Sequence, residues 1–238
     1  MKLLVAIPAL NEHLTISKVI EQVQAELPTS TVLVIDDGST DDTAKFALTA
    51  GAKVISIPFN VGVGGAMRVA FKYALANNFS HVVQIDADGQ HLASEVEKLL
   101  GADSSSNIVI GSRFMKKDGH YKVGGVRRSA MLLLAFITGK ICKSKLTDVT
   151  SGFRLTSGKA IELFAYEYPR EYLGDTVESL IIAHRSGIQI SEVPVNMNYR
   201  EGGNPSQNTL KSIWHLIRAL LIIFLAIFKS QSKTKRLV

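Results

Sequence analysis

Cysteine is nearly absent from this chain of 238 residues: Cys142 stands alone. That excludes an internal disulfide framework and any multi-cysteine zinc site. Cys142 sits beside an apolar run and reads as a packed residue, not a nucleophile. A secretory signal is also missing, because Pro8, Asn11 and Glu12 interrupt the first apolar run early, which leads us to expect a cytosolic main domain. No G-x-x-x-x-G-K-[ST] loop occurs, and the glycine-rich run from Asn60 to Gly65 fails G-x-G-x-x-G because Met67 holds the last glycine position. P-loop and dinucleotide sites are therefore excluded. Acidic surplus is lacking too: the net charge of +6 favours anionic partners such as nucleotide phosphates or a membrane face. The basic residues do not alternate with aromatics, which argues against nucleic acid.

What is present is an alternation of short apolar runs with helical periods. Strands are expected at residues 2–7, 31–35, 53–57, 82–85 and 107–110, and helices at 15–27, about 41–49, 66–77 and 93–100. In the first of these helices Ile16, Val19, Ile20, Val23 and Leu27 recur on one face. This is the pattern of βαβ units, an α/β fold with a mostly parallel sheet and flanking helices. A chain of this length buries a sizeable core in one domain plus an appendage.

Polar residues cluster after strands one, two, four and five, where an open sheet of this class places its ligand. The central stretch is Val82-Val83-Gln84-Ile85-Asp86-Ala87-Asp88-Gly89-Gln90-His91. Gly89 frees the backbone to turn, so Asp86, Asp88 and Gln90 can converge on one point. Hard oxygen donors on a short loop suit Mg²⁺ or Mn²⁺, which keep several waters and bridge substrate phosphates. The ordinary alternative is a polar turn with capping aspartates. Asp36 and Asp37 carry the same choice between a base or ribose contact and turn chemistry.

Beyond Arg113 the pattern changes. Residues 115–125 form a basic, glycine-containing loop; Arg127, Arg128 and Ser129 open an apolar helix through Ile141. Further helices are expected near 159–164 and 175–186, with Asp175 and Glu178 one turn apart, and short strands at 189–193 and 195–199. Residues 200–206 are a polar loop. Residues 213–228 carry only His215 and Arg218 as clearly polar groups. These sixteen residues span about 24 Å as a helix, short of a roughly 30 Å hydrocarbon layer. With Lys229, Lys233, Lys235 and Arg236 behind it, the segment reads as an interfacial or shallowly inserted helix with a basic collar. The alternative is a helix packed on the domain or on a partner; a full span would need bilayer thinning or an added helix. The expected division is a domain at 1–206 and a membrane-associating helix and tail at 207–238.

Six motifs occur in one order: Ile7-Pro8-Ala9-Leu10-Asn11-Glu12, Ile35-Asp36-Asp37-Gly38-Ser39-Thr40-Asp41, Asn60-Val61-Gly62-Val63-Gly64, Asp86-Ala87-Asp88-Gly89-Gln90-His91, Gly111-Ser112-Arg113 and Ser151-Gly152-Phe153-Arg154. Together they resemble family 2 glycosyltransferases over about residues 3–206, in particular the dolichol-phosphate mannose synthase branch and its bacterial relatives in polysaccharide assembly. The resemblance implies a GT-A fold, a nucleotide-diphospho-sugar donor, a divalent metal and inversion at the anomeric carbon. Carried over by position, Pro8, Leu10 and Glu12 would line the nucleotide pocket, and Ile35 with Asp36 or Asp37 would hold the base or ribose. Asp86, Ala87 and Asp88 would meet the phosphates and the metal, with Gln90 a further ligand. Arg113 and Arg127 would face an acceptor phosphate or the donor diphosphate, and Arg200 would clamp the diphosphate. Leu10, Met131 and Ser206 stand where that branch usually carries tyrosine, serine and lysine.

The implied acceptor is a polyprenyl phosphate or a lipid-linked glycan at the cytoplasmic face of the cell membrane, with a membrane protein or a second copy as possible partner. A phosphate acceptor needs no strong base, and Arg127 or Arg128 would position it. A sugar hydroxyl needs a carboxylate: Asp148 first, with Asp175 and Glu178 behind it, although Asp148 could equally cap the turn before Gly152. Two rivals remain at this point. A sugar-nucleotide pyrophosphorylase wants a glycine-rich basic loop after the first strand, which Pro8-Ala9-Leu10-Asn11 does not offer. A non-catalytic subunit would bind nucleotide-sugar or recruit a membrane partner through residues 213–228.

Overall fold

A computed structural model describes residues 1–103, 107–115, 125–169 and 174–198. In chain order they form β1 (Leu3–Ala9), α1 (Ile16–Glu26), β2 (Thr31–Asp36), α2 (Thr43–Thr49), β3 (Lys53–Ser56), α3 (Gly62–Ala76), β4 (His81–Gln84), α4 (Val96–Ala102), β5 (Ile108–Ser112), α5 (Gly125–Cys142), β6 (Arg154–Ser157), α6 (Lys159–Glu167), α7 (Gly174–Arg185) and β7 (Ile190–Pro194). The strands make one seven-stranded sheet in the order β3-β2-β1-β4-β6-β5-β7. Only β6 runs against its neighbours, so the sheet is mostly parallel, as expected. Every residue of β1 is buried, which is why its sequence is continuously apolar and not alternating.

Two apolar layers flank the sheet. Val5, Ile7, Val83, Ile85 and Val109 pack on one face against Ile16, Val19 and Ile20 of α1 and Val96 and Leu99 of α4. Leu4, Leu33, Val82 and Ile110 pack on the other against α3, α6 and α7, through Met67, Phe71, Phe164, Leu180 and Ile181. α5 joins this second layer with Leu134, Ala135 and Cys142 inward, while Leu132, Leu133 and Phe136 remain outside.

Three expectations need correction. β6 was not foreseen: its four residues, RLTS, are too short to show an alternation, and they become a strand by pairing antiparallel with both β4 and β5. α3 starts at Gly62, not at 66, because Asp37 accepts the Val61 and Gly62 N–H groups at 2.8 Å each and so caps the helix from another strand. Among the described residues 195–198 there is no strand, only a bridge between His91 and Met197. The expected boundary at 206/207, the loop at 200–206 and the apolar segment at 213–228 lie outside the described residues. Among the described residues, no helix is long and apolar enough to cross a membrane.

Candidate active site

The carboxyl ends of β2, β1, β4 and β5 lie along one rim, and the start of the reversed β6 joins them. At β1 and β2 the two loops are laced together. Asn11 N–H donates to Ser39 Oγ at 2.9 Å, Thr40 N–H donates to Asn11 Oδ1 at 2.8 Å, and Glu12 N–H donates to Thr43 Oγ1 at 2.8 Å. Leu10 stays part-exposed at the lip. Pro8 and Ile35 are register partners inside β1 and β2, and Ile35 is wholly buried. The two adjacent aspartates separate by task. Asp37 is consumed by the α3 cap. Asp36, also buried, takes the Ser39 N–H on Oδ1 at 3.0 Å.

At β4, side-chain alternation puts Val82, Gln84 and Asp86 on the α3 side and Val83, Ile85 and Ala87 on the α1 side. Ala87 is therefore a core methyl, and only its backbone remains for a phosphate. Gln84 Nε2 donates to Asp86 Oδ1 at 3.1 Å. Asp86 N–H donates to His91 Nδ1 at 3.0 Å, which places the neutral ring's proton on Nε2, 3.6 Å from Asp86 Oδ2. Buried His91 stacks on Phe153 with centroids 5.0 Å apart. Asp86 is thus oriented by Gln84 and His91 while its side chain stays 39% exposed. Asp88 accepts the Gln90 N–H at 3.1 Å across the left-handed Gly89 (φ +76°).

Gly152 backs this carboxylate. A Cβ there would lie 2.9 Å from Gln84 Nε2 and 3.4 Å from both Asp86 oxygens. Among the described residues no three His, Cys, Asp or Glu side chains gather as a metal cage. Two carboxylates and an amide on a rim loop are instead the partial oxygen set that leaves positions for water and phosphate, which fits Mg²⁺ or Mn²⁺.

At β5 the carboxylate of Asp148 is fully buried and receives Arg113 Nε at 2.6 Å on Oδ2 and Arg113 Nη2 at 2.7 Å on Oδ1. Both oxygens on a guanidinium make an anchoring pair, the structural one of the two roles left open for Asp148 by the sequence. Asp175, at the start of α7, is buried; desolvation pushes its carboxyl up to about 6, with Arg154 opposing and Asp86 adding to the rise. Glu178 is half-buried one turn later. Arg127 lies in the first turn of α5, its side chain outside the described set, and Arg200 lies outside it altogether. Asn198, the last described residue, donates its N–H to Gln90 O at 3.0 Å.

Four polar residues received no role from the sequence: Gln84, His91 and Arg154, present there only within motifs, and Glu192, which was not singled out. Arg154, the register partner of Gln84, is buried and donates to Ser151 O, Thr176 O, Val149 O and Ser179 Oγ at 2.7–3.1 Å. It ties the 149–152 turn to α7. Glu192, whose carboxyl burial pushes up, holds the backbone at 147–148. Gln84 alone carried a signal, as the one polar residue within the apolar run 82–85.

Residues 4–164 match the family model for glycosyl transferase family 2. The chain is 30% identical over 211 residues to an undecaprenyl-phosphate mannosyltransferase of Micrococcus luteus, covering 85% of this chain and 86% of that one. It is 29% identical over 214 residues to a UDP-N-acetylglucosamine–dolichyl-phosphate N-acetylglucosaminyltransferase of Methanococcus voltae, covering 82% and 85%. Its fold is similar to that of glucosyl-3-phosphoglycerate synthase from Mycobacterium tuberculosis, crystallised with Mn²⁺, UDP and phosphoglyceric acid: the TM-score is 0.72 at 22% identity, over 97% of this chain and 80% of that one.

Proposed function

Since the chain belongs to glycosyl transferase family 2 and has the GT-A sheet, we propose that it transfers a sugar, with inversion and with Mg²⁺ or Mn²⁺, from a nucleotide-diphospho-sugar to a polyprenyl monophosphate at a membrane surface. The observation that carries the reading is the order of groups along the rim. The nucleotide side is at β1 and β2 (Leu10, Glu12, Asp36), the metal loop at β4 (Asp86, Asp88, Gln90), and Arg113 at β5, two strands farther on. Adjacent strands lie about 4.8 Å apart, so Arg113 sits roughly 10 Å beyond the metal loop, on the acceptor side.

The metal, when bound, neutralises charge developing on the leaving diphosphate. Asp86 and Asp88 would hold it, and Arg200, outside the described residues, is given the same diphosphate by the family resemblance. Arg113 and Arg127 orient the acceptor phosphate. An oxygen of that phosphate bonds to the anomeric carbon as the bond to the β-phosphate oxygen breaks, and the nucleoside diphosphate leaves with the electron pair. An acceptor that is already anionic needs no proton removed, which agrees with Asp148 being closed off by Arg113. Asp175 and Glu178 are the carboxylates left for a hydroxyl acceptor. The exposed face of α5, with Leu132, Leu133, Phe136 and Arg128, meets the lipid surface; Lys140 lies 5.7 Å from the Phe136 ring centre. The relatives' names, an undecaprenyl-phosphate and a dolichyl-phosphate transferase, support this acceptor class.

The test is a thermal-shift screen of UDP-, GDP- and dTDP-sugars with Mn²⁺, followed by transfer to farnesyl phosphate. Asp88→Ala should fold normally and lose both Mn²⁺-dependent donor stabilisation and transfer. Undiminished transfer by that variant would refute the metal assignment.

A further inference from the structure

Glu192 is the far end of a chain of side chains that reaches Arg113. From β7 its Oε2 accepts the Thr147 N–H at 2.7 Å and the Thr147 hydroxyl at 2.8 Å, and its Oε1 accepts the Asp148 N–H at 2.9 Å. With the Thr147 hydroxyl donating to Glu192, Ser112 Oγ donates to Thr147 Oγ1 at 2.7 Å. Asp148 then carries the connection forward: its Oδ2 takes Arg113 Nε and the Arg113 N–H (3.2 Å), and its Oδ1 takes Arg113 Nη2. The Thr150 hydroxyl accepts from the same Nη2 at 3.1 Å. The chain thus runs from the edge strand, through the turn at 147–148, to a guanidinium on the rim.

We propose that Glu192 is a positioning residue for the acceptor phosphate, acting through Asp148 on Arg113; this rests on the reading that Arg113 meets that phosphate. An arginine on four rotatable bonds is a poor point contact unless something fixes it, and Asp148 does so. Asp148 is itself on a connecting turn, so its carboxylate is only as fixed as its backbone. Glu192 grips the N–H of Asp148 and of the residue before it. No neutral isostere does the same. The carboxylate accepts on both oxygens, whereas glutamine would turn an NH₂ toward a backbone N–H in either orientation. A carboxylate kept half-buried here therefore matches a need for two acceptors at one fixed spacing, not a need for bulk.

The experiment uses the full chain, farnesyl phosphate as acceptor and the donor found by the screen. Arg113→Ala should raise the acceptor KM by about tenfold or more, the range for a lost charge-assisted hydrogen bond, with donor KM unchanged. Glu192→Gln should raise the acceptor KM about three- to tenfold, again with donor KM and Mn²⁺ dependence unchanged, and should add nothing in the Arg113→Ala background. A residue with a merely structural role would lower stability and kcat without that split or that coupling. If Glu192→Gln does not fold, Thr147→Val, which deletes one hydroxyl of the chain, should raise the acceptor KM about two- to threefold. An acceptor KM that rises in Arg113→Ala but not in Glu192→Gln or Thr147→Val, or effects that add, would overturn the role of Glu192. An acceptor KM indifferent to Arg113→Ala would overturn the phosphate reading and this proposal with it.

Discussion

Asp175→Asn should stabilise the protein at neutral pH. The carboxyl is 4% exposed at the start of α7, where its Oδ1 accepts the Thr176 N–H at 2.8 Å. Burial holds its proton until about pH 6, against an ordinary value of 3.8. Between those values the folded chain keeps a proton that the unfolded chain has released, so stability falls as pH rises through that window and stays lowered above it. A shift of about two units at about 1.4 kcal/mol each sets the loss near 3 kcal/mol. Asparagine keeps the acceptor for Thr176 and carries no charge to desolvate. The assay is urea unfolding of both chains at pH 7 and pH 4 with a chelator present, because a metal on Asp86 would relieve part of the repulsion that contributes to the shift. The variant should be more stable by up to about 3 kcal/mol at pH 7 and equal near pH 4. A variant that is weaker at pH 7, or a gain independent of pH, would refute the reasoning. Transfer to farnesyl phosphate should persist in this variant, since a phosphate acceptor needs no base.

Gly152→Ala should weaken Mn²⁺ binding by about tenfold, the lower range for disturbing a group that orients a ligand, because its Cβ would press on Gln84 Nε2 at 2.9 Å and on the oxygens of Asp86. Titration followed by electron paramagnetic resonance reads this, and an unchanged Kd would be the contrary result. Leu133→Glu combined with Phe136→Glu should abolish co-sedimentation with anionic vesicles while leaving Tm within a few degrees. Those side chains are 49% and 63% exposed, so they contribute little to the folded core; retained sedimentation would remove α5 from the membrane contact.

The first half of the fold was legible because its strands are unbroken apolar runs and its helices keep a clean period, as in Ile16, Val19, Ile20 and Val23. The rim was legible for a related reason: polar residues immediately after such runs have nowhere else to go. What sequence spacing could not show was which acceptors are already committed. Asp36 and Asp37 are neighbours of the same type, and only folding shows that one caps α3. Asp148 looked available until Arg113, thirty-five residues away, was found on both its oxygens. Arg154 is held mainly by carbonyls at 149, 151 and 176, and carbonyls leave no trace in side-chain patterning.

The reversed direction of β6 has one more consequence. Apart from Arg200, the residues proposed to handle the donor precede Leu92, and those proposed to handle the acceptor follow from Ile108 onward; within the sheet the two stretches meet where β4 lies beside β6. A later stretch altered to receive a different acceptor would have to keep that arginine, a glycine against Asp86 and an aromatic ring beneath His91.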